Sequence, residues 1–142
     1  MLVILYGFHL ARHVPVVLYM PPAWTRYVTL LLMLPVFPLL FAAYLPGRIK
    51  TTMKHPLLAA VLFWALAHLL ASGLFADVLL FGAFLLWAIC GRISFRGRPP
   101  QVIHTAPPGR FNDLTAVVAG LALYVFFIMW AHVRLFGVSP LR

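Results

Sequence analysis

A chain of 142 residues that is 64% hydrophobic and only 9% charged cannot cover a water-facing surface, for which soluble domains use about 25% charged residues. Its 11 Lys+Arg against 2 Asp+Glu, a formal +9, gather mainly between apolar segments rather than in a basic stripe interleaved with aromatics, which argues for a membrane setting and against nucleic acid. Disordered tails, collagen-like fibres, coiled coils and water-soluble enzymes are excluded, leaving an all-α, polytopic transmembrane helix bundle in contact with membrane lipid.

The chain opens MLVILYGFHLARHVPVVLYMPP. Its apolar run from Met1 to Leu10 is shorter than the ~20 residues a span needs. It has neither the basic n-region nor the small-residue cleavage site of a signal peptide. It reads as the last turns of a partial N-terminal helix, and the expectation is an N-terminally abbreviated chain. Four full spans follow, at about 27–45, 57–72, 75–93 and 114–136. Pro35 and Pro38 should kink the first at mid-depth. His55–Pro56 reads as the start of the second, because proline is tolerated in a first helical turn. Asn112–Asp113 is a plausible N-cap for the fourth. Residues 1–142 read as a single transmembrane domain.

The loops set the orientation. Loop 46–56 carries Arg48, Lys50 and Lys54. Arg92, at the end of the third span, and Arg96, Arg98 and Arg110 in loop 94–113 add four more. The turn between the second and third spans holds only Asp77. With alternating topology both basic loops share one side, which the positive-inside rule makes cytoplasmic.

Two carboxylates leave little room for acid–base pairs. Asp113 has a sufficient role as a cap, and Asp77 suits the dipole at the start of the third span. Cys90, alone in an apolar run, reads as a small hydrophobe. Histidine is the informative residue, since polar groups inside a membrane are costly and mark function by default. Of six histidines, His104 lies in a loop, His55 at the cytoplasmic mouth of the second span, and His9 and His13 beside the partial helix. His68 and His132 lie within full spans, each roughly 7 Å inside the outer end. Two readings stand: the pair faces across the bundle and ligates one metal or haem iron, or each is bonded to a carbonyl or water. For His68, Asp77 across the turn is a further partner. Trp64, one turn below His68, would wall a pocket there. Ala60, Ala67 and Ala71, with Ala116 and Gly120 in the fourth span, form small-residue stripes that let helices approach closely.

Lys54-His55-Pro56, followed by Trp64-Ala65-Leu66-Ala67-His68-Leu69 and Gly73, resembles the NnrU family of bacterial integral membrane proteins. It is also similar to the related 15-cis-zeta-carotene isomerases. The LLFG run at Leu79–Gly82, GRFNDL at Gly109–Leu114 and the Ala-His near the end of the fourth span agree with it. The resemblance covers roughly Pro15 to Gly137 and implies a bacterial inner-membrane protein with a six-helix bundle, of which the first one to two helices are expected to be missing here. It implies haem b as cofactor with His68 as one ligand; His132 is the other candidate in this chain by its matched depth, with His9 as the rival from the partial helix. The isomerases carry a cysteine three residues before the motif histidine, where this chain has Ala65, and their second ligand lies in the first family helix. His55 belongs to the motif without an assigned role.

Two functions follow. One is a haem-binding membrane protein related to polyene cis–trans isomerases, with a hydrophobic isoprenoid as substrate class. The other is a non-catalytic membrane factor linked to nitric oxide and denitrification metabolism, assisting membrane protein subunits. A membrane methyltransferase of the isoprenylcysteine type shares the basic-His-Pro element, but that class places paired glutamates after it, and this sequence contains none.

Overall fold

The computed structural model describes residues 6–7, 15–98 and 105–141. His9, His13, His104 and most of the partial helix read at Met1–Leu10 lie outside these residues. Among the described residues the chain is helical without strands: α1 (Thr25–Met33), α2 (Val36–Tyr44), α3 (Arg48–Met53), α4 (Pro56–Ala71), α5 (Phe75–Ser94), α6 (Asn112–Phe126), a π-helical turn (Phe127–Ala131) and α7 (His132–Phe136). Three stretches are long and apolar enough to cross a membrane: Thr25–Tyr44, Phe75–Ser94 and Asn112–Phe136. All lie within two residues of the boundaries read from sequence. The remaining apolar helix, α4, has 16 residues, about 24 Å of rise against a ~30 Å hydrocarbon layer.

The proline break in the first span has a local cause and a remote remedy. Pro35 has no N–H to give Leu31, and the Leu34 N–H turns to the Leu31 carbonyl at 3.3 Å instead of continuing the helical ladder to Leu30. The Leu30 carbonyl thus freed accepts from the Tyr124 hydroxyl at 2.8 Å, so a neighbouring span satisfies the group the proline orphans.

Packing is inside-out relative to a soluble protein. Ala42, Ala43, Ala60, Ala65, Ala67, Ala88 and Ala116 are at most 1% exposed, whereas Leu31, Leu86 and Met129 are 65–69% exposed. Small residues inside let backbones approach, and large apolar ones outside suit hydrocarbon. Of the stripes read from sequence, Ala60 and Ala67 face inward with Ala116 and Gly120, while Ala71 is exposed. The helices lie in the order α6, α1–α2, α4, α5: α2 packs on both α6 and α4, α1 on α4, and α4 on α5.

Both basic loops sit at one end of this row. The Ala106 N–H donates to the Tyr44 carbonyl at 3.0 Å, and the His55 ring lies 5.2 Å from Phe95. Asp113 does not cap its own helix. Its carboxylate accepts from the Arg48 and Ile49 N–H groups at 2.8 and 3.1 Å, capping α3, a short helix not anticipated from sequence. Asn112 donates to the Pro46 and Pro107 carbonyls. Between α3 and α4, Lys54 takes φ 57°, ψ −48°, and the His55 N–H meets the Met53 carbonyl at 2.6 Å. That is a γ-turn of the strained hand, and it delivers Pro56 to the first position of α4 as expected.

Candidate functional site

At the opposite end, residues 16–19 run antiparallel to the α4–α5 turn. Leu18 N–H donates to the Gly73 carbonyl and Phe75 N–H to the Val16 carbonyl, both at 2.8 Å. A Cβ on Gly73 would collide with the Tyr19 carbonyl, so this approach requires glycine. The Tyr19 hydroxyl donates to the carbonyls of Leu69 and, at 2.9 Å, Ser72, groups that a helix C-terminus leaves without partners. Burial and the neighbouring Asp77 charge raise the Tyr19 phenol above its ordinary range. Ser72 donates its hydroxyl to the Asp77 carboxylate, which is 6% exposed in the first turn of α5, where the helix dipole also favours it.

This clamp holds the end of α4 on which His68 stands. His68 Nδ1 donates to the Trp64 carbonyl at 2.8 Å. A carbonyl only accepts, so Nδ1 carries the proton and Nε2 keeps its lone pair. The imidazole stacks on Phe81 at 4.5 Å and 27° and lies 5.2 Å from Trp64, whose indole meets Phe81 and Phe84 edge-on at 5.0 and 5.4 Å. Trp64 and Phe81 of α5 thus pack against the His68 ring and against each other. Of the sequence alternatives for a hydrogen-bond partner, the carbonyl is the one observed, and Asp77 is engaged by Ser72.

His132 follows the π-helical turn, a feature frequent at functional sites and without a sequence signal here. Its Nδ1 donates to the Val138 carbonyl at 2.7 Å, which again leaves Nε2 with the lone pair. No ring contact joins His132 to His68 among the described residues. His55 stands at the far end of α4, about 20 Å away along the helix. The donor chemistry fits a haem iron. As neutral imidazoles both histidines anchor Nδ1–H on a carbonyl and offer the Nε2 lone pair, the outer-shell arrangement common to iron- and zinc-bound imidazoles. Sequence reasoning missed Tyr19 and Tyr124. Tyr124 carried one usable signal, since a phenol inside an apolar span needs a hydrogen-bond partner.

No curated protein and no solved structure matches the chain significantly. The model of the family described as NnrU protein matches residues 1–140. Over all but its last two residues, then, this chain belongs to the NnrU protein family.

Proposed function

We propose that this chain is a multi-pass inner-membrane protein that holds haem b through His68 Nε2, with His132 as the second candidate ligand. One observation carries the reading. His68 is locked by its Nδ1–H bond to Trp64 and by its stack on Phe81, leaving Nε2 as the free donor in an apolar, aromatic wall. Bound there, haem would supply a redox-active iron. The protein's own residues orient the imidazole, keep its tautomer and exclude water. In this reading α4 also crosses the bilayer, because its start meets the end of α5 through His55 and Phe95 and its end turns directly into α5, and both basic loops face the cytoplasm. The resemblance at Trp64–His68 attaches a hydrophobic polyene of isoprenoid origin as substrate class, and membrane protein subunits as the other class of partner.

Purification from haem-replete cells tests the proposal. The expected result is a Soret band with bis-histidine character and a pyridine haemochrome of b type at about one haem per chain. Folded protein without a Soret band contradicts it and leaves the non-catalytic factor linked to nitric oxide metabolism as the standing alternative.

A further inference from the structure

Away from His68, on the lipid-facing side of α4 and α5, a groove of about 370 Å³ runs toward the basic end. Ala59, Leu62, Phe63 and Leu66 line it from α4, and Leu85 and Arg92 from α5. The first four follow the i, i+3, i+4, i+7 rule and so share one helix face, and Leu85 and Arg92 are seven residues apart on one face of α5. The groove is therefore about 10 Å long, apolar along its length, with one half-buried cation at the end where both basic loops lie.

Both side-chain carboxylates among the described residues are engaged away from Arg92. The chain contains two. Asp77 sits at the other end, bound by Ser72, and Asp113 accepts from the backbone of α3. The basic end thus carries a large uncompensated positive charge, and a guanidinium is shaped for bidentate phosphate contact. We propose that this groove is a binding site for an anionic phospholipid, its acyl chain lying along Ala59–Leu66 and Leu85 and its phosphate on Arg92. A zwitterionic lipid would fill the same groove without the net charge that the Arg92 end attracts.

Native mass spectrometry of the full chain, titrated with phosphatidylglycerol or phosphatidylcholine, tests this. Wild type should hold phosphatidylglycerol in preference. Arg92→Gln should weaken that binding about fivefold, the effect of one cation near an anionic head group, and bring it to the phosphatidylcholine level. Arg92→Lys should keep most of it. Arg96→Gln, which removes an exposed cation at the same end, should change it less than twofold. Leu85→Trp, which fills the groove, should weaken both lipids. Far-UV circular dichroism and an unchanged melting midpoint verify folding of each variant. No preference in wild type, equal losses in Arg92→Gln and Arg96→Gln, or unchanged binding in Leu85→Trp overturns the proposal.

Discussion

Replacing Gly120 by alanine sets two effects of opposite sign against each other. Gly120 lies inside α6, where alanine is favoured over glycine by about 1 kcal/mol on helix propensity alone. A Cβ at this position, however, would stand 2.6 Å from Pro38 Cα and 2.7 Å from Pro38 Cδ of α2. The obstruction is backbone and a proline ring, neither of which can rotate aside. The two helices must part by roughly 1 Å to restore ordinary contact, enough to forfeit up to half of each dispersion well at the interface. Overpacking of this kind costs roughly 1–3 kcal/mol, and a rigid obstacle places it at the upper end. Set against the propensity gain, the net loss is about 2 kcal/mol. The separation also strains the Tyr124–Leu30 hydrogen bond on the same interface. Gly82 in α5 is the matched control, because a Cβ there meets nothing within 4 Å. Reversible unfolding in mixed detergent micelles should show Gly120→Ala less stable than wild type and Gly82→Ala more stable by about 0.5–1 kcal/mol. Gly120→Ala as stable as wild type, with Gly82→Ala raised, would refute the close approach of α6 to α2.

Tyr124→Phe leaves the Leu30 carbonyl beside the proline break without its donor and should cost roughly 0.5–1.5 kcal/mol in the same unfolding measurement. The Tyr19 phenol is raised above its ordinary value near 10 by burial and by Asp77. An unfolded chain therefore ionises it first, so its contribution to stability is complete below about pH 10 and is lost as pH rises through the folded value. A stability–pH profile should fall more steeply above pH 10 for wild type than for Tyr19→Phe, and parallel profiles would contradict the clamp. In a Cys90→Ala background, a membrane-impermeant thiol reagent applied from outside should label a cysteine at Ser72 and spare one at Thr105, the reverse pattern inverting the topology.

Three of the four expected spans were legible because helices in lipid need little beyond apolar length, and Pro35 and Pro56 act through covalent geometry that no environment removes; the fourth expected span, 57–72, is the shorter apolar helix α4. The inward set was legible in part. Ala60, Ala67, Ala116 and Gly120 were expected at interfaces and are found there, but Ala71 is exposed, since small-residue spacing does not say which face has a neighbour. Asp113 shows the limit of local rules. It stands where a cap of α6 belongs, yet its carboxylate caps α3, more than sixty residues earlier, because Gly47 and the preceding chain come within its reach. At the candidate site residue counting picked out His68 and His132 as the histidines inside apolar spans. The tautomers, the Phe81 stack and the Tyr19 clamp depend on contacts between segments that lie far apart in the sequence.

The claim that His68 is the histidine that holds haem is tested most directly by haem content in three purified proteins: wild type, His68→Ala and His55→Ala. An imidazole ligand is lost with its side chain, so His68→Ala should reach the membrane at wild-type levels, with unchanged helicity, and retain no haem. His55→Ala, altered at the other end of the same helix, should keep the wild-type Soret band. Equal haem in wild type and His68→Ala, or none in folded wild type, would contradict the ligand role and leave His68 as a histidine satisfied by the Trp64 carbonyl.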